Sequence, residues 1–340
     1  MKPGVVVAPR RFLRPGAREP AMESGKDRYL RWSAGQPDIP IFSRGWWLDA
    51  VCDKGEWDVV LFEDGGRIVA ALPFHLKRRG PFSIVTMPQL TPILGPFIAY
   101  PPGLSHAKRL SLEKRVLTDM IARLPPADHL VMACHSRLTN WLPFHWAGFS
   151  QSTAYTYTLD LTDLDGVFAG FQPEKKRSIR RAQERVQVGF GMDADGFWHF
   201  HRNVLRKRGR SISYPLALFR RVHAAVHAQG AGSVIHARDE KGRVLSALFT
   251  VWGPEGAYSL INATDPEFAH SGALALLVQE SIRNAARQTR RFDFEGSMIE
   301  GVESVFRHFG GVQTPYFMLT CTASPLLRLR VAARSVLRLG

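Results

Sequence analysis

The chain has 340 residues, 45% of them hydrophobic and 11% aromatic, which is a globular composition long enough for two domains of ordinary size. No run approaches the roughly 18 to 20 apolar residues that cross a bilayer, and no continuous apolar segment near the N-terminus suggests a signal peptide. Cys52, Cys134 and Cys321 are far apart and form no CxxC, which argues against a disulfide scaffold or zinc ribbon and favours a reducing compartment. The net charge of +15 suits a polyanionic partner (nucleic acid, anionic lipid or a phosphorylated ligand) or reflects solvated arginine used in place of lysine.

Residues 1–28 combine Pro3, Pro9, Pro15 and Pro20 with many arginines and few large apolar groups, so they are expected to lack stable structure, with order beginning near Ile41. Ser43 to Cys52 reads as a short helix with Ser43 as N-cap. Two apolar runs joined by Glu63-Asp64-Gly65-Gly66 predict a β-hairpin. Leu110, Leu117 and Ile121 have helical spacing. His129 to Cys134 reads as a short buried strand, and a short aromatic helix interrupted by Pro143 follows. Ser152 to Leu161 alternates as a strand. This first half, residues 29–160, reads as a mixed α/β unit.

Residues 161–322 follow a related order of elements without a residue-level repeat. A charged helix, Pro173 to Arg185, leads to a short strand. Helices at Phe197–Lys207 and Leu216–Ala228 come next, then three strands with turns at Glu240 and Gly253. Gly272 to Arg287 is an amphipathic helix with Leu274, Leu277, Val278, Ile282 and Ala285 on one face. The strand Arg291 to Glu295, a helix and a last strand from Val312 complete the unit. The tail, residues 323–340, spaces leucines with Arg328, Arg330, Arg334 and Arg338. It predicts a basic amphipathic helix, lying on an anionic membrane face or packed on the core.

Three stretches carry candidate chemistry. In Phe292-Asp293-Phe294-Glu295 the alternation of a strand sends the phenylalanines to the core and both acids to the other face. They stand near the strand's C-terminal end, where α/β sheets bind ligands. Ser297 to Glu300 fits a capping box, so Ser297 reads as a cap rather than a nucleophile. Ile299, Val302, Phe306 and Phe309 form the next helix's buried stripe, and Gly310-Gly311 its stop. Glu295 has a structural reason to be there, a helix N-terminus just after it. Asp293 has none and is the leading functional candidate. The second stretch is the helix with Lys176, Arg177, Arg180, Arg181 and Arg185. Its like charges crowd at neighbouring turns, which a bound phosphate relieves and which solvent also tolerates. The third is the start of the helix at Gly272, whose free N–H groups suit an anion. His223 and His227 lie four apart with no third ligand and read as solvent-exposed; no metal is expected. GxxxxGK[ST], GxGxxG and HExxH are absent.

The strand before a helix reading KKRSIRRAQERV, the helix GALALLVQESIRNAAR and the stretch RFDFEGSMIEGVESVFRHFGG resemble the FemAB-like branch of the GNAT acyltransferase superfamily, which includes the BioF2-like acetyltransferases. The resemblance implies an α/β fold of two tandem GNAT-like domains with mostly antiparallel sheets flanked by helices. It also implies transfer of an acyl or aminoacyl group to an amine. The co-substrate would be acyl-CoA or aminoacyl-tRNA, with no tightly bound cofactor. By position, His270, Ser271, Gly272 and Ala273 would meet the donor's phosphates, and Lys176, Arg177, Arg180 and Arg181 a phosphate-bearing donor or acceptor. Amides near Ser259 to Asn262 would hold the donor carbonyl, with Asp293 and then Glu295 assisting the amine. A typical GNAT pyrophosphate loop reads Arg/Gln-x-x-Gly-x-Gly/Ala, and Phe268 to Ala273 keeps only its final alanine. That departure favours the aminoacyl-tRNA alternative, while the absence of the coiled-coil arm of several Fem-type enzymes weighs against it. Such an enzyme is expected in the cytoplasm, or at the inner membrane face, in envelope or polysaccharide metabolism.

Overall fold

The computed structural model describes residues 24–53, 55–296 and 298–328. The helices are α1 (Gly25–Ala34), α2 (Gly45–Val51), α3 (His106–Ala122), α4 (Leu142–Trp146), α5 (Leu164–Ala169), α6 (Pro173–Gln183), α7 (Ala194–Lys207), α8 (Leu216–Ala228), α9 (Ala273–Ala285) and α10 (Glu300–Arg307). The strands are β1 (Trp57–Asp64), β2 (Arg67–Arg79), β3 (Phe82–Val85), β4 (Phe97–Ile98), β5 (His129–Ala133), β6 (Ser150–Asp160), β7 (Gln187–Phe190), β8 (Gly232–Arg238), β9 (Val244–Gly253), β10 (Gly256–Thr264), β11 (Arg291–Asp293) and β12 (Val312–Thr322). The result is a mixed α/β fold with one large, mainly antiparallel sheet flanked by helices, the class expected from the sequence.

The sheet runs β1-β2-β3-β5-β12-β6-β11-β10-β9-β8-β7, with β4 beside β2. Among the described residues, only β3/β5 and β10/β11 pair in parallel. The last strand, β12, inserts between β5 and β6, so the C-terminal segment joins the early strands to the late ones. Side chains also cross between the halves. Tyr29, Phe42 and Trp47 share one buried cluster with Phe197, Phe219, Phe249 and Tyr258, and the Phe42 and Tyr258 rings meet edge-on at 4.8 Å. A second cluster packs Val116, Leu117 and Met120 of α3 against β1, β2 and β5. A third packs Ile179 and Ala182 of α6 with α9 and the phenylalanines of β11 and α10.

Several local expectations change. Ordered structure starts before residue 28: Ser24 caps α1 by accepting from Asp27 N, and Tyr29 is 1% exposed. Spaced apolar side chains at Tyr29, Leu30 and Trp32 give this short helix a face to bury. Residues 1–23 of the expected tail, and residues 329–340 of the C-terminal one, lie outside the described residues. Ser43 is not an N-cap. It ends a 3₁₀ turn, its carbonyl accepts the Tyr29 hydroxyl at 2.5 Å, and α2 starts two residues later. Leu110 is exposed, and the buried face of α3 runs through Glu113, Val116, Leu117 and Met120. Pro143 lies in the first turn of α4, where its missing N–H costs no hydrogen bond, and interrupts nothing.

The largest change is at the acids' end of the chain. Helix α10 begins at Glu300, with Ile299 in the cap position, so Glu300 opens the helix rather than closing a capping box; Ser297 lies outside the described residues. Of the expected stripe, Phe306 and Phe309 are buried, stacking on Phe294 at 5.2 and 5.6 Å, while Ile299 and Val302 are exposed. Gly296 turns against β6, and the helix starts only at Glu300 with its first apolar residues outward. The helix ends at Arg307, and the expected left-handed glycine follows three residues on, at Gly310 with φ 75°.

Candidate active site

Alternation along β11 holds. Phe292 and Phe294 enter the core with their rings 5.2 Å apart, and Asp293 points to the opposite face. There it lines a small cavity of about 30 Å3 with Thr156 of β6, Tyr258 of β10, Tyr316 of β12, Arg291, Glu295 and His135. A volume of that size holds about two waters. Four neighbouring strands, β12, β6, β11 and β10, contribute together with Pro92, Ile93 and the loop after β5, so the cavity requires β12 paired with β6.

Asp293 is fully engaged. Its Oδ2 takes the Arg291 guanidinium at 2.6 Å, and its Oδ1 accepts the Thr156 hydroxyl and the N–H of Glu295, the latter at 2.8 Å. It therefore does have a folding role, because it fixes the turn that follows the strand. Gly296 completes that turn. A Cβ there would lie 2.1 Å from the Tyr155 carbonyl oxygen, and the close approach lets Gly296 N donate to Thr156 Oγ1 at 2.9 Å. The hydrogen-bonded turn holds Glu295 at a left-handed φ of 58°, a conformation that costs a side-chain-bearing residue about 1 kcal/mol.

The structural reason expected for Glu295 fails. Helix α10 begins five residues later, and helix-dipole stabilisation fades within the first turn. Burial, and then the charge of Asp293, push the Glu295 carboxyl well above the usual carboxylate range. The same two acids, after burial, raise the Tyr316 phenol. On the far wall His135 Nδ1 faces the N–H of Arg137 at 3.0 Å, so it accepts and the ring proton resides on Nε2. Nε2 lies 3.5 Å from the Tyr258 hydroxyl. Burial, with Arg291 and Arg137 nearby, lowers the His135 pKa to about 3 and keeps it neutral.

Beside the cavity β10 and β11 separate. They pair only at Ala257/Phe292 and Tyr258/Asp293, after which β11 ends and β10 continues to Thr264. A bulge between Ser259 and Ile261 turns this free length, and a bulge of this kind re-aims backbone groups next to a site. Asn262 stands on it. Its side-chain oxygen accepts the Ser259 hydroxyl at 3.1 Å, and it is not among the residues lining the cavity.

The two phosphate candidates come together. Gly272, at φ 79°, caps α9 and presses on α6: a Cβ there would sit 2.4 Å from the Ser178 carbonyl oxygen. The α9 N-terminus thus abuts the basic helix. Arg177, Arg180 and Arg181 are exposed, and no ion pair ties them among the described residues. Lys176 is engaged, donating to the Ala169 carbonyl at 2.6 Å. Ser271 accepts from Ala273 N at 3.2 Å and so occupies one of the N–H groups expected to face an anion; His270 is exposed.

His223 is half-buried against Phe219 and Phe249 rather than exposed, with its pKa lowered by burial. Among the described residues no group of three or more His, Cys, Asp or Glu could hold a metal ion, and no helix is long and apolar enough to cross a membrane. Sequence reasoning missed His135, Thr156, Tyr258, Arg291 and Tyr316. Only Arg291 left a legible signal, since it shares a strand face with Asp293 two residues on.

Residues 172–303, which contain β10, β11, α6 and α9, match the family described as acetyltransferase (GNAT) domain. None of the curated proteins matches the sequence significantly. Among solved structures, FemX superposes with a TM-score of 0.64 at 12% identity, covering 87% of this chain and 96% of FemX. A tandem GNAT protein from the clavulanic acid biosynthesis pathway gives 0.47 at 15% identity, covering 83% and 95% of the two chains. L-PGS from Bacillus licheniformis gives 0.46 at 10%, covering 82% and 89%. Residues 172–303 thus carry an acetyltransferase (GNAT) type of domain, and the chain as a whole has the fold of FemX.

Proposed function

We propose that the protein is an N-acyltransferase that carries an acyl group from an activated carbonyl donor to an amine, with Glu295 as the base. The observation that carries this reading is the separation of β10 from β11 immediately beside a half-buried carboxyl of raised pKa. An amine reaches the enzyme as an ammonium ion. Ionised Glu295 takes one proton from it, directly or through a water in the cavity. The freed nitrogen attacks the carbonyl carbon, a C–N bond forms, and the carbonyl's bond to the donor sulfur or oxygen breaks. The second proton leaves with the departing thiolate or alkoxide. Charge on the carbonyl oxygen meets the free backbone edge of β10 between Ser259 and Asn262.

Asp293 and Arg291 are positioning residues in this reading, as they hold the turn that carries Glu295. Asn262 serves through its backbone, its side chain being held by Ser259. Residues 29–160 and 161–322 act as two GNAT-like units, the second binding the donor. Gly272 and Ala273 at the α9 start, with Arg177, Arg180 and Arg181 of α6, take the donor's phosphates. Acyl-CoA is the first donor in this reading. Aminoacyl-tRNA is the second, favoured by the uncompensated arginines on α6 and by the serine that already fills part of the α9 anion site.

The test is transfer from a panel of acyl-CoA thioesters, and from aminoacyl-tRNA, to primary amines. Transfer that Glu295→Gln abolishes is the expected result. Full activity in that variant removes Glu295 from the mechanism, and no transfer from either donor overturns the reading.

A further inference from the structure

His135 belongs to three cavities at once. It lines the catalytic cavity with Asp293 and Glu295. It lines an outer cavity of about 250 Å3 bounded by Gln36, Asp38, Tyr100 and Arg137. Between them it lines a neck of about 10 Å3 with Ile93, Pro96 and Phe97. Ile93 is shared by the neck and the catalytic cavity; Pro40, Pro96 and Phe97 are shared by the neck and the outer cavity. The three voids therefore adjoin, with His135 as a wall common to all of them.

We propose that His135 is the sieve of the acceptor path, restricting the acceptor to a primary amine on a slender, unbranched chain. The inference rests on the reading of Glu295 as the base. The neck has room for about one water, so the narrowest section an organic amine presents, a methylene chain ending in –NH2, is the one that passes with a small shift of the ring. A ring or branch next to the nitrogen meets Ile93, Pro96 and the imidazole together.

Charge along the path suits a cation. Asp38 stands at the outer cavity and Asp293 and Glu295 at the inner end. Each guanidinium on the way has an acid of its own: Arg137 lies 3.4 Å from Asp38, and Arg291 2.6 Å from Asp293. The imidazole between them carries no charge, so an ammonium ion passes it without repulsion. The Arg137 N–H on Nδ1 fixes the ring's orientation and gives the sieve a definite width.

Binding of hexylamine and cyclohexylamine, each read by saturation-transfer NMR on the full chain, tests this without turnover. The wild type is expected to bind hexylamine and to discriminate against cyclohexylamine about tenfold or more. His135→Ala is expected to bind both alike, a gain that misfolding does not mimic. His135→Asn, whose Oδ1 can still accept the Arg137 N–H, serves as the second variant and is expected to relax the discrimination partly. Equal binding of the two amines by the wild type overturns the sieve. So does unchanged discrimination in both variants, or no binding of either amine. If discrimination shifts as expected but no donor gives transfer, the sieve stands and the proposed acyl transfer falls.

Discussion

The backbone N–H of Glu295 donates to Oδ1 of Asp293 at 2.8 Å, so one acid builds the turn that presents the other to the cavity. The two carboxylates, adjacent on one face, therefore have separable duties. Glu295→Gln is expected to lower kcat by about 10²- to 10⁴-fold, the usual worth of a general base, with little change in Tm. Asp293→Asn removes the counter-charge of Arg291, whose second terminal nitrogen is already buried without a partner. It is expected to cost about 3 kcal/mol, read as a lower Tm, and to reduce activity through misplacement of Glu295. A stable Asp293→Asn enzyme that loses all activity, beside an active Glu295→Gln enzyme, would reverse the assignment.

The pH profile separates the acids further. A base must be ionised to act, and Glu295 is held above the ordinary carboxylate range by burial and by Asp293. The acidic limb of kcat against pH is thus expected at higher pH than an unperturbed glutamate would give. Asp293→Asn removes a neighbouring negative charge, so in that variant the limb should move to lower pH. A limb that stays in place would detach it from Glu295.

The basic helix gives a third outcome. Among the described residues Arg177, Arg180 and Arg181 crowd without an ion pair, so replacing all three with Gln relieves repulsion of about a few tenths of a kcal/mol per pair. The triple variant is expected to keep or slightly raise its Tm while its KM for the donor rises. With aminoacyl-tRNA as donor, the slope of log Kd against log salt becomes shallower by about one for each phosphate that an arginine no longer neutralises. Unchanged donor KM and unchanged salt dependence would leave these arginines as a solvated face.

Gly272 packs the start of α9 against that helix. Its φ of 79° and the 2.4 Å approach of an added Cβ to the Ser178 carbonyl leave no room for alanine. Gly272→Ala is expected to cost about 2 kcal/mol or more, from left-handed strain plus displacement of α6. It should lower Tm and raise the donor KM together. Loss of stability with an unchanged donor KM would confine Gly272 to packing.

Local pattern explains what could be read in advance. The two-residue turn at Gly65-Gly66, the face of α9 and the alternation of β11 depend on neighbours in sequence, and each formed where the pattern put it. The cavity depends on partners far along the chain. Thr156 reaches Asp293 across 137 residues, and Tyr316 arrives on a strand inserted between β5 and β6. His135 enters from a loop whose sequence has no periodicity to read. The error over Glu295 has a similar origin: Ser297 and Glu300 form a good cap sequence, but Gly296 approaches β6 closely and the helix starts only at Glu300. Ranking the acids required knowing which one accepts the hydrogen bonds.

Glu255 yields a stability prediction independent of catalysis. It is 5% exposed, Oε1 accepts Ile41 N at 2.8 Å, and Oε2 is buried without a partner. Burial raises its pKa from 4.5 to about 7, although Arg44 and Arg137 lie near enough to oppose the shift. The folded chain therefore holds this proton more tightly than the unfolded chain. Between those two values the native state binds more protons, so stability falls as pH rises, by about 3 kcal/mol in all. Glu255→Gln keeps an acceptor for Ile41 N and removes the titration. Melts of wild type and variant at about pH 5 and about pH 8 should show the variant gaining Tm relative to the wild type only at the higher pH. An equal difference at both values would mean that Glu255 titrates in the folded state as it does in the unfolded chain.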